Sequence, residues 1–144
     1  MVDEIKFKLA TSLVDFFHLR NIRNQARFLL TNNQSHISIY RQLLFYFFKP
    51  SNLSFFLATQ GGFVVGYLGI THDKSKNCFL VTEVVREDFR GMGIGIQMLD
   101  FAKDRYSPLV AEIFKDNKPS INLHLKAGFR VSGETLNLIK MQYG

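Results

Sequence analysis

The chain opens with an alternation of apolar and polar positions, followed by a helical spacing. Ile5, Phe7 and Leu9 alternate with lysines, which predicts a first strand. Thr11 or Ser12 can cap the following helix, because a hydroxyl there accepts a hydrogen bond from the free amides of the first turn. The apolar side of this predicted helix carries Leu13, Phe16 and Phe17.

A second helical pattern begins near Ser38 and stops before Pro50, because the residue before a proline avoids the helical conformation. The spacing of its apolar residues predicts that one face is buried. The residues expected on that buried face are Ile39, Leu43, Leu44 and Phe47.

The rest of the chain alternates between strand and helix patterns. Residues 55–59 and 63–70 flank the pair Gly61-Gly62, which predicts a hairpin. Helices are predicted around Met98 and between Pro119 and Gly128. Further strands are predicted at 78–85, 108–114, 129–131 and 135–141. This order predicts an α+β fold, a mixed α/β sandwich around one sheet, and we expect residues 1–144 to form a single domain.

Composition narrows the class of protein. Hydrophobic residues make up 47% and charged residues 21% of the 144, which is typical of a folded chain. The single cysteine, Cys78, cannot form an internal disulfide, and its apolar surroundings favour a buried, unreactive thiol. The four histidines lack metal-ligand spacing, so we expect no metal.

Charge and hydropathy limit the partners. No stretch approaches the ~20 apolar residues of a membrane span, and the first residues lack the apolar region of a secretory signal. We therefore expect a cytoplasmic protein without a membrane partner. The net charge of +6 favours an anionic partner such as a nucleotide, CoA or nucleic acid. No aromatic RNA-binding motif or helix-turn-helix pattern supports a pure nucleic-acid module, and a homodimer stays open.

The turn before the third predicted helix is rich in glycine, with the sequence Arg90-Gly91-Met92-Gly93-Ile94-Gly95. Glycines let a ligand approach the backbone closely, and amides at a helix N-terminus bind an anion such as a pyrophosphate. The arginine adds a fixed positive charge with several donors. The spacing is neither that of a dinucleotide-binding fingerprint nor that of a Walker A loop. A plain glycine-rich turn without a ligand is the alternative.

Two stretches resemble motifs of the GNAT superfamily of N-acetyltransferases. Residues 84–95 resemble its acetyl-CoA signature, a strand followed by Arg/Gln-x-x-Gly-x-Gly/Ala and a helix. Residues 117–129 resemble its other hallmark, Asn-x-x-Ala/Ser-Ile-x-x-Tyr-x-Lys-x-Gly-Phe, except that His124 stands where the family usually has Tyr. The resemblance covers roughly residues 54–131. It implies the GNAT-like acyl-CoA N-acyltransferase fold, a central mixed, mostly antiparallel sheet flanked by helices. It also implies direct transfer of an acetyl group from acetyl-CoA to a small amine acceptor.

The resemblance also implies residues that bind acetyl-CoA. Val84 and Val85 would offer main-chain groups to the pantetheine arm. Asn117 would contact that arm or stabilise its loop, and Ser120 would lie near CoA. The pyrophosphate would be held by the glycine-rich turn, that is, by Arg90, Gly91, Met92, Gly93, Ile94, Gly95 and Ile96.

Acyl transfer needs a neutral amine, a stabilised oxyanion and a proton for the departing thiolate. Glu83, on the strand that would end at the acetyl group, is the candidate base, with Glu112 as a weaker one and a surface carboxylate as the alternative. His124 is a competent proton donor near neutrality, with a reference pKa of ~6.5. Its alternative is a packing role, in which water protonates the thiolate.

Arg20, Arg23 and Arg27 would share one face if their segment is helical throughout, which suits an anionic acceptor. A solvated basic face is the alternative. The region loosely resembles GNAT enzymes that acetylate amino sugars on nucleotide carriers. Other acceptors stay open, namely aminoacyl-tRNA, as for a GNAT toxin, or the amine of a protein or peptide. A non-catalytic CoA-binding module is a further alternative.

Overall fold

The computed structural model describes residues 4–31 and 34–144, and this part of the chain folds around one seven-stranded sheet. The strands are β1 (Lys6–Leu9), β2 (Leu53–Gln60), β3 (Phe63–Asp73), β4 (Cys78–Val85), β5 (Leu109–Phe114), β6 (Arg130–Glu134) and β7 (Leu138–Tyr143). The helices are α1 (Leu13–Gln25), α2 (Ile39–Phe48), α3 (Ile94–Arg105) and α4 (Lys118–Lys126). The expected mixed α/β architecture is confirmed.

The sheet has the strand order β1-β2-β3-β4-β5-β7-β6, and all neighbours are antiparallel except β4 and β5. These two parallel strands pair only at Phe79 with Leu109 and at Leu80 with Val110. Beyond these pairs they diverge, so no described residue pairs as a strand with the later part of β4 on this side. The divergence opens a gap in the middle of the sheet.

Helices cover both faces of the sheet. On one face, Met98 and Leu99 of α3 and Ile121 of α4 belong to the same buried cluster as Leu68 of β3. The other face holds a second cluster, in which α1 and α2 pack on the sheet through Phe16, Leu19, Phe45, Leu57 and Tyr67. Leu68 and Tyr67 are adjacent on one strand and therefore point to opposite faces.

The start of α1 confirms the predicted cap. The Ser12 hydroxyl accepts a hydrogen bond from the Asp15 amide at 3.1 Å, and the Asp15 carboxylate accepts from the amides of Thr11 and Ser12. Lys8 lies 3.1 Å from the same carboxylate. Burial raises the pKa of Asp15, but the hydrogen bonds from Thr11, Ser12 and Lys8 outweigh it and lower the pKa from 3.8 to about 2.

The boundaries of α2 match the prediction, since Ser38 caps it and it ends before Pro50. The predicted buried face is largely wrong. Three of the four residues predicted on that face are exposed, namely Ile39, Leu44 and Phe47. The buried residue of this helix is Gln42. The apolar side chains of this helix point to nearly every side, so their spacing does not show which side faces the sheet.

Cys78 is buried, as expected. Within residues 4–31 and 34–144, no helix has the length and apolar character needed to cross a membrane.

Candidate active site

The gap between β4 and β5 leads into a cavity of about 570 Å³. Its walls come from the last five residues of β4, from β5, and from the N-terminal turns of α3 and α4. The unpaired edge of β4 therefore runs along the cavity, and the N-termini of two helices lie at its border. A ligand with amide groups can pair with such a strand edge as an additional strand would.

The glycine-rich turn forms the α3 end of this cavity. Gly93, the residue that caps α3, has φ +78 and provides no side-chain hydrogen bond to the helix. The first backbone hydrogen bond at this end of the helix runs from the Gln97 amide to the Gly93 carbonyl at 3.4 Å. The amides of residues 94–96 precede that bond and need an acceptor from outside the helix. This end of the cavity can therefore bind an anion.

Gly95 lines the cavity and also has a packing role. A Cβ atom at this position would lie 2.8 Å from Cδ2 of Leu123 on α4, whereas one at Gly91 or Gly93 would meet nothing within 4 Å. Gly95 therefore allows α3 and α4 to approach each other. Leu123 itself lines the cavity, so this packing shapes the wall.

The side chain of Arg90 folds back towards the strand. Its Nε donates to the Val85 carbonyl at 3.3 Å, and Arg90, Val84 and Val85 all line the cavity. Met92 is 61% exposed at the apex of the turn. Ile94 is buried in the core below the turn, while Ile96 is half-buried and lines the wall.

The second motif forms the opposite wall. The Asn117 side chain caps α4 by accepting from the Ser120 amide at 3.4 Å, so it stabilises the loop at the cavity border. Ser120 lines the cavity, and its carbonyl lies 2.7 Å from Nδ1 of His124. This contact makes Nδ1 the protonated nitrogen and leaves Nε2 as the atom that gains or loses a proton.

His124 and Glu83, which were predicted as separate candidates, form one pair. Nε2 of His124 lies 3.4 Å from Oε1 of Glu83, and the side chains are only 1% and 8% exposed. Among residues 4–31 and 34–144, Nε2 has no partner with hydrogen-bond geometry, so at this distance its contact with Glu83 is electrostatic. Burial lowers the pKa of His124, but the Glu83 charge and the contacts with Glu83 and the Ser120 carbonyl outweigh it, so the pKa is raised. The weaker candidate, Glu112, is exposed on β5.

A second cavity, of about 340 Å³, lies between α1, α2 and the sheet. Of the three arginines predicted to bind the acceptor, Arg20 and Arg23 line this cavity, whereas Arg27 is not among the lining residues and lies over the ring of Phe28. Because α1 ends at Gln25 and a short 3-10 turn follows, the helical spacing does not extend to position 27.

Sequence reasoning missed several residues of the second cavity. Arg41 on α2 lines it together with the buried Tyr67 and Gln42. Leu30 and Thr82 line both cavities and mark where they meet. No local pattern points to these residues, since they converge only through the packing of α1 and α2 on the sheet. Among the residues that the structure describes, no group of three His, Cys, Asp or Glu could hold a metal ion.

The comparison with protein families matches the acetyltransferase (GNAT) family over residues 16–129, most of the chain. The chain therefore belongs to this family, and it is an acetyltransferase. No curated protein matches it significantly by sequence.

Solved structures of similar fold come from several bacteria. One is a GNAT superfamily phosphinothricin acetyltransferase from Sinorhizobium meliloti in complex with acetyl-CoA, with 19% identity, coverage of 96% of this chain and 87% of that chain, and a TM-score of 0.79. Another is a ribosomal-protein-alanine N-acetyltransferase from Brucella melitensis, at 23% identity, 96% and 98% coverage and a TM-score of 0.75. An N-acetyltransferase from Staphylococcus aureus Mu50 has 21% identity, 97% and 98% coverage and a TM-score of 0.76. At these identities the likeness concerns the fold.

Proposed function

We propose that the chain transfers an acetyl group from acetyl-CoA directly to a primary amine. The observation that carries this proposal is the gap between β4 and β5, because it joins the uncapped N-terminus of α3 to the buried His124–Glu83 pair in one cavity. A ligand that has an anion at one end and a reactive group at the other fits such a cavity. Acetyl-CoA combines a pyrophosphate, an amide-containing arm and a thioester in that order.

The residues present suit this co-substrate. The amides after Gly93 and the positive charge of Arg90 would hold the pyrophosphate. Backbone groups of Val84 and Val85 would pair with the amides of the pantetheine arm. Asn117 and Ser120, at the start of α4, would border that arm.

The His124–Glu83 pair would move protons during the transfer. The raised pKa favours the form of His124 that carries a proton on Nε2, and this form can deliver that proton to the departing thiolate. Glu83 keeps that proton in place by its charge and can take up the proton that the amine nitrogen loses as the new amide bond forms. The proton gained by Glu83 then passes to Nε2 of His124, which returns the pair to its starting state.

The acceptor belongs on the side of α1 and α2, where the second cavity meets the first at Leu30 and Thr82. An amino sugar on a nucleotide carrier is the particular acceptor that the sequence suggests. Aminoacyl-tRNA and protein or peptide amines are the other substrates to test. A turnover screen over these classes, which measures CoA release, decides between them, and binding without turnover on any amine would indicate a CoA-binding module.

A pair of matched glycine variants tests the acetyl-CoA site. Gly93 and Gly62 both have φ near +80, and a Cβ at either position meets nothing within 4 Å. Asn tolerates this conformation better than other residues, so each Asn variant should lose a similar stability of about 1 kcal/mol. Only Gly93→Asn adds a side chain beside the predicted pyrophosphate position, so we expect its affinity for acetyl-CoA to fall at least tenfold while Gly62→Asn keeps the parent affinity. If calorimetry gave the two variants equal affinities for acetyl-CoA, the pyrophosphate would not bind at this turn.

A further inference from the structure

The second cavity has an excess of positive charge over an apolar floor. Three arginines line it, Arg20 and Arg23 from α1 and Arg41 from α2. Its floor is formed largely by the aromatic rings of Phe45, Phe55 and Tyr67. We call this space the arginine cavity.

Neutral groups orient Arg20 and Arg41, and a carbonyl also accepts a hydrogen bond from Arg23. Nε of Arg20 donates to the Ile37 carbonyl at 2.8 Å, Arg23 donates to the Ser35 carbonyl, and Nη1 of Arg41 lies 3.5 Å from the Ser35 hydroxyl. Carbonyls and hydroxyls orient a guanidinium without neutralising it. In the part of the chain that the structure describes, neither Arg20 nor Arg41 forms an ion pair with a carboxylate.

The charges of the neighbouring arginines affect the pKa of Arg23. Burial lowers the pKa of Arg23, and although Tyr67 opposes this, the charges of Arg41 and Arg27 lower it further. An anion placed between Arg23 and Arg41 would relieve that repulsion. Guanidinium groups bind carboxylate and phosphate through paired hydrogen bonds, which makes the arrangement selective for such anions.

The position of the cavity orients its ligand. It meets the acetyl-CoA cavity at Thr82 and Leu30, so the amine of an acceptor lies at that end and the rest extends towards Arg41. The buried Tyr67 lines the arginine cavity, and the charges of Arg23 and Glu83 both act on its hydroxyl. Burial raises the pKa of that hydroxyl, with Arg23 opposing and Glu83 reinforcing the effect, so Tyr67 stays neutral and available as a hydrogen-bond donor.

We infer that the acceptor is a compact amine that carries an anionic group, and that Arg41 is the residue that selects for this group. The inference rests on the proposed function. The volume of about 340 Å³ lies in the range of small-molecule sites, near its lower end. The anion is a carboxylate or a phosphate, and a nucleotide carrier attached through its phosphate would extend from the cavity beyond Arg41. A second positive charge on the acceptor, as in a polyamine, would be repelled.

The test compares Arg41→Gln with Arg27→Gln, which removes the same charge from a position outside the arginine cavity. Each protein is assayed for CoA release with 4-aminobutanoate, O-phosphoethanolamine, a nucleotide-linked amino sugar and the neutral amine butylamine. Charge-assisted hydrogen bonds predict that the parent prefers an anionic amine over butylamine by about 10- to 100-fold in kcat/KM. In Arg41→Gln this preference should fall to a few-fold because kcat/KM for the anionic amines drops, and Arg27→Gln should keep the parent preference.

The three anionic acceptors separate the sources of the anion, because a carboxylate, a simple phosphate and a nucleotide-linked phosphate would each give a distinct rank order. Equal kcat/KM for butylamine and every anionic amine, or an equal loss of preference in both variants, would overturn the inference. So would turnover restricted to aminoacyl-tRNA or a peptide amine. All three outcomes leave acetyl transfer intact, whereas a failure of the proposed function would appear as no acetyl-CoA binding and no transfer to any amine.

Discussion

Replacing Glu83 with Gln keeps the size of the side chain but removes the charge that lies 3.4 Å from Nε2 of His124. In the parent, that charge is the main reason why the pKa of His124 is raised in spite of burial. Without it, burial prevails and the pKa of His124 falls. Because the protonated form of His124 is the one that can act as an acid, the high-pH limb of the kcat profile should move to lower pH in Glu83→Gln.

The size of the effect depends on pH. Where His124 is protonated in the parent but not in the variant, the variant loses general-acid catalysis, which is typically worth 10²–10⁴ in rate. As pH falls, His124 regains its proton in the variant too, so the ratio of variant to parent kcat should rise. The ratio stays below one at low pH if Glu83 also accepts the proton of the amine.

The assay measures kcat at saturating acetyl-CoA across pH, with folding checked at each pH because breaking a buried pair typically destabilises by about 3–5 kcal/mol. His124→Gln serves as the companion variant and should lose the high-pH limb together with a rate factor of about 10²–10⁴. His124→Tyr should restore part of that rate. A folded Glu83→Gln protein with a constant rate ratio at every pH would show that Glu83 does not act through His124. If kcat of the His124→Gln protein stayed within a few-fold of the parent value, His124 would have only a packing role.

Three further variants test the packing described above. Asp15→Asn should destabilise the fold by about 2 kcal/mol at neutral pH, because the carboxylate pKa is lowered from 3.8 to about 2, and chemical denaturation should show the difference disappearing as pH falls from about 4 to 2. Gly95→Ala should cost roughly 1–3 kcal/mol, since Leu123 must move to admit the new methyl group, and an unchanged denaturation midpoint would contradict this. Phe47→Ala should change stability by less than about 0.5 kcal/mol because the ring is 69% exposed, whereas Phe45→Ala, whose ring packs into the α1–sheet cluster, should cost clearly more.

Much of the fold could be predicted because its signals are local. Alternation and caps give β1 and the start of α1, Gly61-Gly62 gives the hairpin, and the helix over 118–126 is bracketed by Pro119 and Gly128. The failure at α2 has a local cause as well. A helix that is apolar on nearly every side specifies that it is a helix but not which side is buried.

In the candidate site too, the residues of contiguous motifs could be predicted from the sequence, and those that meet only through packing could not. The glycine-rich turn and the motif around Asn117 are contiguous in sequence, so their place at one cavity follows from two short patterns. Arg41 shares no sequence pattern with Arg20 and Arg23, because it belongs to another helix and reaches them only by helix packing. The prediction of Arg27 depended on continuing a helix that ends two residues earlier.

The pairing of Glu83 with His124 gives a physical reason for the departure from the family motif at position 124. A carboxylate that is only 8% exposed is costly to bury unless a positive charge lies nearby, and the described residues place His124 in that position. A tyrosine there could donate one hydrogen bond but could not supply the charge. The histidine can therefore compensate the buried carboxylate, and the same contact favours its protonated form. If the proposed proton transfer is right, stability and catalysis depend on one 3.4 Å contact, so the two partners should be exchanged together as well as one at a time.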